Sequence, residues 1–512
     1  MSSILTNNSA MVALQTLKSI NSDLSKTQSM ISTGKEVASA KDNSAIWAIS
    51  KVMESDVQGF KAISESLSLG ESSVAVARNG AETVTDLLNS MKEKIVAAKG
   101  ENVDRTKLQA DVEAISDQIA SVVGAAQFNG LNMLSGTDSV KILASLDRGS
   151  DGTVTSSNID VARQDLSTDA GVYGTGAALD ANVTTTLGGN LASDGTGDAF
   201  SNGANVLEAT VGGAVVIGQT YNFQISGETV SYTATAATTA NLADGLTAAI
   251  NAAGIDEITA DVAGSVISIS STSKFEDVTV NTSGNGAATF ALEANGDTAA
   301  AATNNTQTIN ARASELEFSA TAAVAEGDGY RASIGGVNFD YVAGPGETFE
   351  DVARGLKTVI DGAGLEDIST RVRQDEATGA WVLQIDNDGE AQALADAGAA
   401  DGTATGGLVG LDKLDVTTEE GVAAALANVE TFINTTIDAA AEFGSSQGRI
   451  ETQSEFISQL TDSLRSGIGA LVDADMEETS ARLQALQVQQ QLGVQSLSIA
   501  NQAPQTILSL FR

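Results

Sequence analysis

The sequence predicts a mixed fold: a long α-helical, coiled-coil stem formed by both chain ends, with α+β, mostly β, domains inserted at the centre. Three observations predict it. Apolar residues recur at spacings of three and four near both termini, the mark of helices that offer one narrow seam to a partner. Acidic charge is concentrated between them: of a net −39, residues 141–415 carry −27, from 11 Lys+Arg against 38 Asp+Glu. That middle is also rich in Gly, Thr, Ala and Asp, and short alternating β runs replace the helical period there.

At the front, Ala13, Leu17, Ile20, Leu24, Thr27 and Ile31 form a heptad seam, interrupted at Ser32-Thr33-Gly34, where Gly34 can take a positive-φ turn. The pattern resumes with Ile46, Ile49, Met53, Val57, Phe60, Ile63 and Leu67. It continues as Val74, Ala77, Ala81, Val84, Leu88, Met91 and Ile95, and stops near Gly100. A third stretch, Leu108 to Val122, ends before Gln127-Phe128-Asn129-Gly130, where Asn-Gly signals a turn.

The last hundred residues mirror this. Leu426, Val429, Ile433, Ala440, Phe443, Ile450, Ile457, Leu464 and Leu471 keep the spacing. Leu483, Leu486, Gln490, Gly493, Leu497 and Ala500 then form another seam shortly before Pro504. Narrow stripes at both ends cannot satisfy themselves alone, so they are expected to pair with each other and with copies of the chain. An ordinary intramolecular coiled-coil stalk has the same periodicity and stays open at this point. Thr27, Gln490 and Gly493 weaken the outermost seams. Ordering a residue costs roughly 1–2 kcal/mol of backbone entropy, so these ends are expected to be unfolded in the free monomer and to order on assembly.

The middle contains an internal repeat. Tyr221, Ile225, Gly227, Tyr232, Gly245-Leu246, Ile250, Gly254 and Ile258 match Tyr330, Ile334, Gly336, Tyr341, Gly355-Leu356, Ile360, Gly364 and Ile368 in the same order. Val266-Ile267-Ser268-Ile269 and Trp381-Val382-Leu383-Gln384-Ile385 follow as strands. Each copy, about 212–282 and 325–390, reads as a ββαββ unit, and Val183–Gly203 and Gly398–Gly407 read as loops.

Composition excludes several function classes. The chain has no Cys and no His, which removes disulfides, thiolate chemistry, the commonest metal ligand and the usual neutral-pH acid–base group. A strongly acidic chain is unsuited to nucleic acid or an anionic membrane surface. No apolar run is long enough to insert into a membrane, and Met1–Thr6 has neither the basic nor the apolar region of a cleaved signal peptide.

No motif carries chemistry. Gly444-Ser445-Ser446-Gln447-Gly448 matches the G-x-S-x-G nucleophile pattern, but that chemistry needs a base beside the serine on a strand-to-helix elbow, and the segment lies in a helical pattern. Asp386-Asn387-Asp388-Gly389 resembles part of a calcium loop, yet Ala395 stands where the bidentate Glu belongs, and a hairpin turn is the better account. No catalytic residue, cofactor or metal site is expected.

At both ends the residues resemble the bacterial flagellin family. Ser32-Thr33-Gly34-Lys35, Ser39-Ala40-Lys41-Asp42-Asn43-Ser44-Ala45 and Ala48-Ile49-Ser50 look like its N-terminal signature, and Gln127-Phe128-Asn129-Gly130 is similar to the turn closing its N-terminal region. Ala500-Asn501-Gln502-Ala503-Pro504-Gln505, Leu508-Ser509-Leu510 and Arg512 look like its C-terminus. The resemblance implies a non-enzymatic filament subunit that serves motility. Residues 1–44 and 472–512 would then form a terminal polymerisation domain, 45–140 and 416–471 a helical core, and 141–415 a surface insert. The charge and β-repeat character of that insert set it apart from the helical ends, so it is expected to be dispensable for polymerisation. Self-assembly would rest on Leu17, Ile20, Leu24 and Ile31 with Leu483, Leu486, Leu497 and Ala500.

The resemblance further implies export through the flagellar type III apparatus without a cleaved signal peptide, and an extracellular filament. The implied partners are copies of itself, the cap and junction proteins and an export chaperone. Junction proteins share the layout but tend to carry a proline-containing version of Ser39-Ala40-Lys41-Asp42. Flagellins that trigger the vertebrate surface receptor carry an Arg in the stretch matching Asp86–Glu93, where Ser90 stands here, so weak recognition is expected. A secreted acidic adhesin is the alternative from another class; it would place function in residues 141–415.

Overall fold

Three helices take up the first quarter of the chain in the computed structural model, which describes residues 7–149, 153–188, 199–294 and 297–510. Helix α1 (Asn8–Thr33) begins where the Asn7 side chain accepts the Ala10 N–H and ends at Gly34, whose φ of 68° is left-handed. Helix α2 covers Ser44–Ala98. Helix α3 (Arg105–Ala125) starts with Asp104 accepting from the Lys107 N–H. Asn129 and Gly130, with φ of 50° and 81°, make the two-residue turn between β1 (Gln127–Phe128) and β2 (Leu131–Asn132). A second two-stranded sheet joins β3 (Ser139–Arg148) to β4 (Val154–Ala162).

Two short strands, β5 (Val183–Thr186) and β6 (Ala199–Phe200), occupy part of the stretch expected to be loop; its residues 189–198 lie outside the described residues. The first repeat follows as β7 (Asn205–Ala214), β8 (Thr220–Ile225), β9 (Glu228–Thr233), α4 (Thr239–Ala253), β10 (Ile258–Ala263), β11 (Val266–Ser271) and β12 (Val278–Gly284). Next come β13 (Ala287–Ala294), β14 (Asp297–Ala302) and β15 (Asn305–Ile309). The second repeat runs β16 (Ser314–Phe318), β17 (Gly329–Ile334), β18 (Val337–Val342), α5 (Phe349–Gly362), β19 (Ile368–Gln374), β20 (Trp381–Asn387) and β21 (Gln392–Ala399). Two long helices, α6 (Glu419–Val472) and α7 (Met476–Leu510), end the chain, and α7 continues through Pro504.

Sheet topology makes the repeat larger than a hairpin, a helix and a hairpin. The first copy builds the sheets β10-β11-β7-β13-β14 and β15-β12-β8-β9; the second builds β19-β20-β16-β5 and β18-β17-β21-β6. In both, the two hairpins lie in different sheets. Each is extended by one flanking strand, β7 or β16 in one sheet and β12 or β21 in the other. The unit is βββαβββ. Because β20 and β21 belong to different sheets, Asp386–Gly389 is a crossing between sheets and not a hairpin turn. Asp386 is fully buried there, with the Arg312 Nε at 2.7 Å and Nη2 at 2.6 Å.

The repeated Gly-Tyr pairs have a steric cause. A Cβ on Gly245 would stand 2.1 Å from the Tyr232 ring, and one on Gly355 2.2 Å from the Tyr341 ring. In each copy a tyrosine lies flat on the helix backbone, which only glycine allows. Each copy holds a separate aromatic core: Phe223 meets Phe290 edge-on at 5.2 Å, and Phe318 meets Tyr330 edge-on at 5.9 Å.

The contacts divide into two compact units. One comprises the chain up to Ser72, Lys141–Asp160 and Ser446 onward; the other comprises Ser73–Val140 and Val161–Ser445. In the second, Val74, Ala77, Ala81, Val84, Leu88, Met91 and Ile95 of α2 are buried, as are Val422, Val429, Phe432 and Phe443 of α6. The hydroxyls of Thr85 and Thr436 meet at 3.1 Å. Gln109 of α3 donates to the Leu414 carbonyl at 3.0 Å and accepts from the Val416 N–H at 2.9 Å. In the first unit, Gly70 of α2 lies against Ile142 of β3, and the Gln453 side chain of α6 donates to the Ala144 carbonyl at 2.8 Å.

Two expected seam positions face solvent: Ile49 is 54% and Leu471 40% exposed, while Ser50 and Val472 are buried beside them. A straight helix turns every 3.6 residues, so a strict heptad drifts by about 20° per repeat and the buried stripe slips to a neighbour. Gly444–Gly448 is helical within α6, with Ser446 buried.

The copies differ at the tyrosine that covers the helix. The Tyr232 hydroxyl lies 3.1 Å from the Thr235 hydroxyl, whereas the Tyr341 hydroxyl donates to both oxygens of Glu347 at 3.0 Å. Glu347 lines a cavity of about 410 Å³ together with Asp351, Arg354, Arg163, Asp165 and Asp438. Burial pushes its carboxyl up from 4.5 to about 7, and the Asp351 charge adds to this. Hydrogen bonds from the Gly344 N–H and the Tyr341 hydroxyl oppose it. The folded state therefore holds this proton more tightly than the unfolded chain, so its contribution to stability is complete below 4.5 and is lost as pH rises through about 7. Denaturant unfolding of wild type should lose up to about 3 kcal/mol across that window, less whatever solvent at the cavity mouth screens. Glu347→Gln should remove that part of the pH dependence; identical profiles for the two proteins would contradict the assignment.

Candidate self-assembly surface

Helices α1 and α7 begin and end on local signals. Asp475 accepts from the N–H groups of Glu477 at 2.9 Å and Glu478 at 3.1 Å, which starts α7. Glu477 and Glu478 also place negative charge on its first turn, where the helix dipole favours it. Just before it, the chain is tied to the segment after α1. The Glu36 N–H donates to the Val472 carbonyl at 2.7 Å and the Ala474 N–H to the Gly34 carbonyl at 3.0 Å. From that bridge the two helices run antiparallel. The Gln490 side chain donates to Asn21 at 2.7 Å, and the Asn7 side chain donates to the Ala500 carbonyl at 2.8 Å.

All eight residues expected to carry assembly lie on the shared seam. Leu17, Ile20, Leu24 and Ile31 are half-buried on α1. On α7, Leu486 is 8% exposed, and Leu483, Leu497 and Ala500 are half-buried. Thr27 is the most enclosed residue of α1, and its hydroxyl bonds the Asp23 carbonyl at 2.8 Å, so a polar seam position is satisfied within its own helix. Gly493 permits a close approach: a Cβ there would stand 3.1 Å from the Leu17 Cδ1. Sequence reasoning missed Thr479, buried on the same stripe of α7, one heptad before Leu486. It also missed Asp475, although Asp followed three residues later by Glu is a helix-start signal.

Pairing leaves a second apolar face bare. Val488, Leu492 and Ile499 are each more than half exposed; at about 100° per residue Val488 and Ile499 stand on the side of α7 away from the seam, with Leu492 between that face and the groove. Met11, Val12 and Leu14 of α1 are equally exposed. Small residues open a groove of about 740 Å³ between the helices, lined by Ser9, Val12, Ala13, Leu492, Gly493 and Ser496 among others. Such a surface offers shape and apolar area. Among the described residues no group of His, Cys, Asp or Glu could hold a metal, and no helix is long and apolar enough to cross a membrane.

Known proteins agree with this layout. The model of the bacterial flagellin N-terminal helical region matches residues 4–139, and that of the C-terminal helical region matches residues 426–511. Flagellin A of Rhizobium meliloti is 33% identical over 522 residues and flagellin B 31% over 515, each covering the whole of both chains. Flagellin FljK of Caulobacter vibrioides is 40% identical over 172 residues, 33% of this chain and 63% of its own. Among solved structures, a flagellar hook-associated protein-3 of Legionella pneumophila aligns at 10% identity and a TM-score of 0.31 over 82% of this chain and 98% of its own, a likeness too slight to bear on the fold. With relatives at this identity aligned end to end, the chain belongs to the bacterial flagellin family, the non-enzymatic structural subunits of the flagellar filament.

Proposed function

We propose that polymerisation is carried by the α1–α7 pair, with Leu17, Ile20, Leu24, Ile31, Leu483, Leu486, Leu497 and Ala500 holding the two helices together. Neighbouring copies then cover the outer stripe of Val488, Leu492 and Ile499. The single observation that carries this is the two-sided character of α7, whose apolar residues line both the seam and the opposite face. Covering an apolar side chain is worth roughly 1.5–3 kcal/mol, so leaving six of them in water favours association. In this scheme residues 1–44 and 472–512 are the polymerisation domain, and residues 45–140 and 416–471 are the core that carries it. The chain leaves the cell through the flagellar type III route, escorted by a chaperone, and adds to the filament outside beneath the cap, with junction proteins at its base. A chain lacking residues 478–512 should keep its core helices by circular dichroism yet form no filaments on seeding; filaments of normal width from it would refute this scheme.

Receptor recognition should be weak. In Asp86–Glu93 of α2, the residues facing solvent are Asp86, Asn89, Ser90 and Glu93, and the Ser90 hydroxyl is turned back to the Asp86 carbonyl at 3.0 Å. An acidic, Arg-free face cannot supply the planar multi-donor contact of a guanidinium. Ser90→Arg should raise the reporter-cell response to purified monomer at least tenfold, about 1.4 kcal/mol in binding terms. An unchanged response would show that this face is not what limits recognition.

A further inference from the structure

The two repeats are attached in different ways. Asn205, the first residue of β7, is buried, and its side chain donates to the carbonyls of Asn310 at 2.8 Å and Ala311 at 3.1 Å. Entry to and exit from residues 205–311 therefore lie side by side, and the segment encloses its own hydrophobic core around Phe223 and Phe290. Its contacts across this neck are polar. The N–H groups of Arg312 and Ala313 donate to the carbonyls of Ser273 and Lys274. Lys274 pairs with Asp388 and, at 3.9 Å, with the buried Asp386, and Glu276 pairs with Arg371. The exposed pairs, Lys274 with Asp388 and Glu276 with Arg371, contribute little to stability.

The second repeat is anchored through buried charge. Lys357 and Asp361 of α5 have side chains only 8% exposed and reach Asn428 of α6. The Lys357 Nζ donates to Asn428 Oδ1 at 2.8 Å, and Asn428 Nδ2 donates to Asp361 Oδ2 at 3.1 Å. The Thr370 hydroxyl occupies the other Asp361 oxygen at 2.5 Å. Every member is satisfied, so removing one would strand a charge in the interior, which is far costlier than losing a surface pair. The buried run Leu408, Leu411, Leu414 and Val416 then leads from this repeat to α6.

We propose that the second repeat is a structural part of the helical core, locked to α6 by Lys357, Asp361 and Asn428, whereas the first repeat is a separable module on a two-chain neck. On this reading residues 205–311 can be removed without disturbing the second repeat. Segments whose ends meet at one neck and that own a core can open or be removed independently.

Three full-length or near full-length variants test this by pulse proteolysis with mass-spectrometric mapping, a readout that does not depend on polymerisation. Phe290→Ala should expose cleavage sites within 205–311 while leaving 314–437 as resistant as in wild type. A chain lacking 205–311, with Ala204 joined to Arg312, should keep that resistance and still give filaments on seeding. Lys357→Met should expose the second repeat and the Asn428 stretch of α6 together. The proposal is overturned if Phe290→Ala opens 314–437, if the deletion opens it, or if Lys357→Met loosens the repeat while α6 stays resistant. Failure of wild-type chain to form filaments would count against the terminal-helix scheme alone, since the cleavage maps would still decide this one.

Discussion

The antiparallel pairing of α1 with α7 is the constraint on which the rest of this chain is arranged. Asn7 bonds Ala500 and Asn21 bonds Gln490, partners 493 and 469 positions apart. Once those ends meet, everything between Gly34 and Val472 is one closed excursion. Closure entropy grows only with the logarithm of length, about 0.6 kcal/mol per doubling, so a chain already closed this way accepts a long insert at small further cost. The same logic applies at the neck beside Asn205, where a second excursion leaves and returns between β6 and β16.

Under the proposed scheme a narrow, partly polar seam does two things. Thr27 and Gln490 make the seam partly polar and Gly493 lets the helices approach closely, while Val488, Leu492 and Ile499 leave apolar area exposed on the far side. At roughly 25 cal/mol per Å², one half-buried stripe does not offset an ordering cost of roughly 1–2 kcal/mol per residue. A second stripe, covered by a neighbour, can. In the proposed scheme, weak pairing alone and strong pairing in company would let the subunit order where it is added.

Much of this was legible in the sequence, and the failures have physical reasons. The seam residues on α1 and α7 could be read because heptad spacing is a local property of one helix. Ile49 and Leu471 were misplaced by one residue because 3.6 does not divide seven, which no single window reveals. Asn129-Gly130 could be read as a turn because both steps need positive φ, and both take it. The strands β5 and β6 could not, since a Thr-rich run becomes a strand only when β16 and β21 offer an edge more than 100 residues later. The same holds for β7 and β12, whose partners lie on the far side of a helix. The raised carboxyl of Glu347 depends on a cavity lined from four stretches besides its own, so nothing near it in sequence could announce it.

The central claim, that the terminal pair is completed by neighbours, is tested most directly by hydrogen exchange on dilute monomer and on filament, compared segment by segment. Residues 7–40 and 478–510 should exchange freely in the monomer and be protected in the filament, while 63–95, the most deeply buried part of α2, stays protected in both. Strong protection of the two termini in dilute monomer would show that α1 and α7 fold unaided and would contradict the account.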